Sequence, residues 1–299
     1  MMKLRACVIG SPISHSLSPV IHNYWLKKYG IEGEYVAIEV KPDRLEAFLK
    51  DLDKAGFKGC NITVPHKEAA WQIISKMNEE SDADSGSQTL PDHVAYYMRA
   101  INTVVVSKGG LVGTNTDFVG FARNLLDRQP NYDYKNSIAY IIGAGGAAKA
   151  VAFALASMNV KQIVITNRTI ERSFEIKDMM VKSFGYPEER FDVIPWEKRN
   201  DVFANCNIVV NATSLGMKGS EELDINFKGL LKDSLVTDIV YNPLETNFLK
   251  KAKAAGAITV DGLGMLLHQA APGFEAWFGK KPTVDEDLRI EVLKHLKNK

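Results

Sequence analysis

Cysteine is scarce: Cys7, Cys60 and Cys206 are the three in 299 residues. They are too few and too widely spaced for a disulfide framework or a CxxC metal or redox pair, so buried thiols are expected. Long apolar runs are missing as well. No stretch reaches the roughly 18 apolar residues that a membrane-crossing helix needs. The opening MMKLRACVIG is too short in apolar length for a secretory signal, and Pro12 breaks it before any small-residue cleavage site. A cytoplasmic protein without a membrane partner is expected. Charge of one sign is not in excess either: 37 Lys and Arg face 36 Asp and Glu, a net +1. Such a surface supplies no broad field for a polyanion, which removes nucleic acid from the expected partners. The histidines stand apart without ligand spacing, so no metal is implied.

What is present describes a folded α/β chain. A hydrophobic share of 45% beside 24% charged residues is enough for two cores and argues against disorder. Short β-branched runs at 6–9, 35–40, 61–64, 103–106, 138–142, 163–166, 208–211 and 235–240 alternate with helix-period stretches. That is the βαβ pattern of a mostly parallel sheet. Residues 42–55 carry Leu45, Phe48, Leu49 and Leu52 on one face and predict an amphipathic helix. Residues 78–93, NEESDADSGSQTLPDH, have almost no large apolar side chains and predict an exposed loop. Within it Asp82, Asp84 and Gly86 resemble a calcium loop only in part, because His93 stands where the bidentate glutamate is required. Breaks at 116–120 and 261–264 mark candidate joints between domains.

Between the two joints lies a dinucleotide fingerprint. The apolar run 138–142 ends in Gly143-Ala144-Gly145-Gly146-Ala147-Ala148, and a helix-competent AKAVAFALASM overlaps and extends it. Strand, glycine turn and helix together make the motif specific. Gly143 permits the tight turn, Gly145 lets the backbone approach a pyrophosphate, and Ala148 allows helix and sheet to lie close. About 20 residues on, an NAD enzyme would place an acid on the ribose diol. Here Asn167, Arg168 and Thr169 stand instead, with Arg172 following. A guanidinium offers paired donors to a 2′-phosphate, which favours NADP over NAD. The competing reading is that Arg168 and Arg172 form a solvated helix face near Glu171 and Glu175.

Four further clusters put polar residues at or beside strand ends, where open parallel sheets collect ligands. They are SHSLSP at 14–19, NITVPHK at 61–67, AINTVV at 100–105 and GTNTD at 113–117. With IIGAGGAAKA, TNRT, NATSLGM and GLGMLLHQA in consistent order, the chain resembles the shikimate dehydrogenase family over nearly its whole length. The resemblance implies reduction of the 3-dehydroshikimate ketone to shikimate by NADPH, on the route to chorismate and aromatic amino acids. It implies a mostly parallel, substrate-binding α/β domain over 1–117 completed by C-terminal helices from 262–299, and a Rossmann-type doubly wound NADP domain over 118–261. A small-molecule substrate and a monomer or homodimer follow from it.

Position by position, Lys67 and Asp117 match the family's acid–base pair. A lysine at a helix N-terminus, partly desolvated, has its ammonium disfavoured and can trade a proton, and a nearby carboxylate would orient it. Ser16 and Ser18, helped by Tyr241, would hold the substrate carboxylate. Thr63, Asn102 and Gln269 would read the ring hydroxyls with Lys67 and Asp117. Asn211, Thr213, Leu215 and Gly262 match positions that line the nicotinamide side in the family, and Met265 follows on the closing helix as a further cofactor-binding candidate. Each has a plainer reading: Ser16 or Ser18 as a helix cap, Lys67 as a solvated cation, Asp117 as a cap, Gln269 as a surface residue. His66, beside Lys67, is read as a supporting or exposed residue rather than the proton carrier. The departures from the family are the longer polar loop before AINTV and the MRA that precedes it. The alternatives to an NADP shikimate dehydrogenase are a quinate/shikimate dehydrogenase that accepts NAD as well, and a silent ligand sensor. A sensor would be expected to lack Lys67 or Asp117, and both are present.

Overall fold

The computed structural model describes residues 3–79, 92–108 and 110–297. They form two compact units, Met1–Thr116 with Gln269–Lys299, and Asp117–His268.

The first unit contains β1 (Leu4–Gly10), α1 (Ser18–Tyr29), β2 (Gly33–Glu39), α2 (Leu45–Asp51), β3 (Gly59–Ile62), α3 (Lys67–Glu79), α4 (His93–Met98), β4 (Thr103–Ser107) and β5 (Gly110–Thr114). Its sheet runs β2-β1-β3-β4-β5. β1 is parallel to β2 and β3, while β4 is antiparallel to both of its neighbours. The last five residues of β1 are all buried, as a strand covered on both faces requires. Cys7, Ile9, Leu45, Leu49, Cys60, Ile62, Ile74, Ile101 and Val104 share one core. All three cysteines are free, buried thiols, as their spacing suggested.

Two local expectations are corrected. The helix expected over 42–55 is shorter, a 3-10 turn at Pro42–Arg44 leading into α2. Leu45, Leu49 and Leu52 are buried as the apolar stripe predicted, but Gly56 at φ +78 turns the chain away. Of the expected loop at 78–93, Asn78 and Glu79 belong to α3, Asp92 caps α4 by accepting from Ala95 N–H at 2.8 Å, and His93 opens α4. The remainder, 80–91, lies outside the described residues.

The second unit contains α5 (Asp117–Arg128), β6 (Ile138–Ile142), α6 (Gly146–Ser157), β7 (Gln162–Thr166), α7 (Ile170–Asp178), β8 (Phe191–Ile194), β9 (Ile208–Asn211), β10 (Leu235–Asp238), α8 (Asn247–Ala254) and β11 (Ile258–Val260). Its strands pair in parallel in the order β11-β10-β9-β6-β7-β8. That is the doubly wound arrangement, and its order reverses between β6 and β9, where such sheets open a ligand crevice beyond their carboxyl ends. β8 was not legible as a strand because Asp192 interrupts its short run at the sheet edge. The buried face of α6 is Ala148, Ala150, Val151, Ala152, Ala154 and Leu155, mostly small residues that let the helix lie close to the strands. The chain ends in α9 (Leu263–Phe278) and α10 (Glu286–Lys297).

Gly59, at φ +154, is fixed by packing: a Cβ there would collide with the Val104 carbonyl oxygen and the Trp277 indole nitrogen. Those two are themselves joined, Trp277 Nε1 donating to Val104 O at 2.9 Å. Gly59→Ala should therefore lower the unfolding free energy by about 1–3 kcal/mol. Urea denaturation reads this directly, and an unchanged midpoint would contradict the packing described.

Candidate active site

In the first unit the polar clusters converge on one buried side chain, Asn102. Its backbone N–H donates to Thr114 O at 3.0 Å and its carbonyl accepts from Ile62 N–H at 2.7 Å. Its amide oxygen accepts from Thr116 N–H at 2.8 Å, and its amide nitrogen donates to Thr116 Oγ1 at 3.1 Å. Thr116 Oγ1 in turn donates to the backbone carbonyl of buried Gln269 at 2.8 Å. On the other side Thr103 Oγ1 donates to Asn102 Oδ1 at 3.0 Å, and Asn61 Nδ2 donates to Thr103 Oγ1 at 3.0 Å. Tyr35 extends the chain, its phenol donating to Asn61 Oδ1 at 2.5 Å. Buried polar groups left unpaired cost about 1–3 kcal/mol each, so a connected row like this fixes one geometry.

Lys67, half-buried, is the first residue of α3, and its carbonyl accepts from Ile101 N–H at 2.9 Å. The segment that carries Asn102 thus also holds the backbone of Lys67. Thr63 follows β3 directly and is half-buried. Ser18 is buried and Ser16 half-buried. The capping alternative falls on Ser16 and not on Ser18: Ser16 Oγ accepts from Ser18 N–H at 3.3 Å, and the Leu17 position makes no side-chain cap. Beneath Ser18, burial holds the Tyr35 phenol far above its usual range, with the Ser18 hydroxyl opposing in part. His22 stacks on Tyr35 at 3.9 Å, and burial pushes its imidazole down to about 3, against a weaker opposing influence of the Asn61 side chain. Neither His22 nitrogen makes a hydrogen bond of ordinary geometry. His66 is buried, its Nε2 lying 2.6 Å from Val40 O. Because a carbonyl can only accept, Nε2 carries the proton, and the side chain is held away from solvent in a supporting place.

The second unit holds the residues read as cofactor-binding. Gly143 ends the β6 strand at φ +110, and a Cβ on it would lie 2.7 Å from Thr213 Cγ2 and 3.1 Å from the Ala212 backbone. This close approach lies where the strand order reverses. Gly145 and Gly146 are exposed, a Cβ on either would meet nothing within 4 Å, and no side chain caps the first turn of α6. Open glycines before an uncapped helix start fit a dinucleotide pyrophosphate, which amide N–H groups and the helix dipole favour. Ala147 is half-buried. Arg168, Thr169 and Arg172 are exposed after β7, and Asn167 Nδ2 donates to Thr169 O at 2.9 Å. Met265 lies against the core of this unit. Asp117, buried, is the first residue of α5 and follows Thr116 in the chain.

Asp238 was missed by sequence reasoning. It ends β10, is 0% exposed, and accepts from Asn211 Nδ2 at 3.0 Å, Val240 N–H at 2.9 Å and Thr246 Oγ1 at 2.7 Å. The same Asn211 donates to Leu215 O at 3.1 Å and accepts from Thr213 N–H and Oγ1 at 3.0 and 2.7 Å. Gly262 lies on the Asp238–Ile239 peptide, where a Cβ would be 2.7 Å from Asp238 O. Tyr241, next after Val240, is half-buried, and burial raises its phenol. The signal that would have revealed Asp238 is a lone carboxylate inside the apolar run LVTDIV. Tyr35 and His22 carried no signal that separates them from ordinary core aromatics.

Family models match the chain over three stretches: shikimate dehydrogenase substrate binding domain at 8–85, shikimate / quinate 5-dehydrogenase at 125–224, and shikimate 5′-dehydrogenase C-terminal domain at 262–287. A Ruegeria protein named shikimate dehydrogenase (NADP(+)) is 40% identical over 289 residues, covering 96% of this chain and 97% of that one. The shikimate 5-dehydrogenase of Thermus thermophilus, solved with NADP(H) and shikimate, is similar with a TM-score of 0.80 and 32% identity, over 98% of this chain and 99% of that one. Quinate dehydrogenase from Corynebacterium glutamicum, solved with NAD, is similar with a TM-score of 0.85 and 29% identity, over 98% and 99%.

Burial raises the Asp238 carboxyl from 3.8 to about 6, outweighing the hydrogen bonds from Thr246, Val240 and Asn211. The folded chain then holds a proton there that the unfolded chain has released, in the window between those values. Asp238 therefore adds stability at low pH that is lost as pH rises through about 6. Relative to Asp238→Asn, the wild type should gain about 1 kcal/mol of unfolding free energy between pH 8 and pH 5. A difference that stays constant across that range would show the carboxyl to titrate normally.

Proposed function

Because the chain belongs to the shikimate dehydrogenase family, we propose that it catalyses the reversible NADPH-dependent reduction of 3-dehydroshikimate to shikimate, with Lys67 and Asp117 as its acid–base pair. The reaction is a step of the shikimate pathway to chorismate and the aromatic amino acids. The observation that carries the reading is 40% identity across 96% of the chain to an NADP(+) shikimate dehydrogenase.

When bound, NADPH supplies the hydride that reduces the ketone. The Lys67 ammonium stands by the ketone oxygen and gives it a proton as negative charge develops there. The Asp117 carboxylate holds and orients that ammonium, and in the oxidative direction the neutral amine takes the proton back from the hydroxyl. Ser16 and Ser18, with Tyr241, fix the substrate carboxylate through hydroxyl donors. Thr63, Asn102 and Gln269 meet the ring hydroxyls, a role that suits a site whose polar groups are already held in place, because a hydroxyl missing from the ligand leaves a buried partner unpaired.

Gly143, Gly145, Gly146 and Ala147 offer backbone amides to the pyrophosphate. Asn167, Arg168, Thr169 and Arg172 take the 2′-phosphate, where paired guanidinium donors match its oxygens. Thr213, Gly262 and Met265 lie on the nicotinamide side. The likeness to a quinate dehydrogenase holding NAD supports a second reading, in which quinate and NAD are used as well. Steady-state kinetics on both acids with both cofactors separates them: shikimate with NADP should have the higher kcat/KM, and a higher value for quinate with NAD would overturn the first reading.

Lys67→Met should lower kcat by about 100-fold or more while NADPH binding, followed by fluorescence titration, stays within about twofold. Turnover at the wild-type rate would remove Lys67 from the proton transfer. Arg168→Asp should raise the KM for NADPH by roughly 10- to 100-fold, the loss of charged hydrogen bonds, with little effect on NADH. Equal behaviour of the two cofactors before and after would show that the 2′-phosphate is read elsewhere.

A further inference from the structure

Outside the residues already given roles, the second unit has one buried carboxylate through which several of them are joined. We propose that Asp238 is a positioning residue: its carboxylate locks the Asn211–Leu215 turn to the Val240–Tyr241 segment and so sets the shape of the nicotinamide end of the cofactor site. This rests on the reading above that Thr213, Tyr241 and Gly262 face the ligands.

Asp238 and Asn211 are register partners at the carboxyl ends of neighbouring strands β10 and β9. One carboxylate oxygen takes both the Asn211 amide at 3.0 Å and the Val240 N–H at 2.9 Å. The Asn211 amide is thereby turned so that its own oxygen faces Thr213, accepting from its N–H and its hydroxyl. Thr213 Oγ1 then accepts from Leu215 N–H at 3.1 Å, which closes the turn. That turn is the surface against which Gly143 of the fingerprint lies, 2.7 Å from Thr213 Cγ2 for a Cβ at that glycine. The other carboxylate oxygen takes the Thr246 hydroxyl at 2.7 Å, and Thr246 caps α8 through Leu249 N–H at 3.3 Å. Gly262 covers the Asp238–Ile239 peptide at contact distance. An acceptor at 238 is thus shared by the loops after β9 and β10 and by the start of α8. All three of its donors are neutral, and a charged group in a fully buried place with no cation to match it is an expensive way to hold a fold. Its worth is in the geometry it enforces on two ligand-facing loops.

Asp238→Ala removes the shared acceptor. Asp238→Asn keeps an oxygen for Asn211 and Val240, and the Thr246 hydroxyl can turn to accept from the new amide. In cofactor-free protein, hydrogen exchange should speed up by about tenfold or more in 212–216 and 239–242 of the Ala variant, with the strands β6 and β7 unchanged. In turnover the Ala variant should lose about 10- to 100-fold in kcat, show a larger primary isotope effect with deuterated NADPH, and keep the KM for NADPH within about threefold. The Asn variant should recover most of both losses. A fall in the folded fraction alone would lower kcat without changing the isotope effect, and it would raise exchange in all strands. Either result, or an Ala variant that behaves as wild type, overturns the proposal. Should the Ala variant not fold, Asn211→Ser cuts the same bridge and must give the same local exchange and isotope effect. Wild-type protein that fails to turn over shikimate with NADP would instead refute the underlying reading, while the exchange result would still decide whether Asp238 orders these loops.

Discussion

The first unit depends on a single carboxamide. Asn102 sits just before β4, and between its main chain and its side chain it joins the ends of β3 and β5. Those ends lead directly into Thr63 and Lys67 on one side and Thr116 and Asp117 on the other. An asparagine is suited to this place because it offers an acceptor and a donor from one planar group, so that Thr116 is held at both its N–H and its hydroxyl. Leucine would fill the volume and keep the main-chain bonds to Ile62 and Thr114, but it would remove the side-chain partner of Thr116. Lys67 is thus held through its carbonyl to the segment that carries Asn102, and Thr116, the residue before Asp117, is held to the Asn102 side chain.

Both units face the same physical difficulty and resolve it in related ways. Polar groups have to be gathered at the carboxyl ends of strands whose bodies are apolar, and every one that is buried must find a partner. In the first unit a row of neutral groups, Tyr35, Asn61, Thr103, Asn102 and Thr116, pass hydrogen bonds from one to the next. In the second the same task falls to a charged group, Asp238, with burial raising its carboxyl toward neutrality. The neutral row leaves each member partnered, whereas the buried carboxylate carries a desolvation cost and stands between the loops read as cofactor-facing.

Much of this was legible in the residues themselves. The strands at 138–142 and 208–211 have the bounds that their apolar runs suggested, because a strand covered on both faces is a continuous apolar run with sharp ends. The glycine turn was legible because its conformation and its close approach admit no side chain at Gly143. What stayed hidden depends on partners distant in sequence. The short β8 strand and the burial of His66 against Val40 are set by tertiary packing. So is the role of Tyr35, which looks like any core aromatic until Asn61 is placed against its phenol. Asp238 showed the one usable sign, a carboxylate where an apolar side chain would be expected.

The central claim is that Lys67 and Asp117 act as one unit on the substrate. A double-mutant cycle on kcat for shikimate oxidation, using Lys67→Ala, Asp117→Asn and the two combined, tests it most directly. If the pair is a unit, the combined variant should turn over at about the rate of Lys67→Ala alone, because the carboxylate has nothing left to orient. Losses that multiply, as they do for independent sites, would contradict the account.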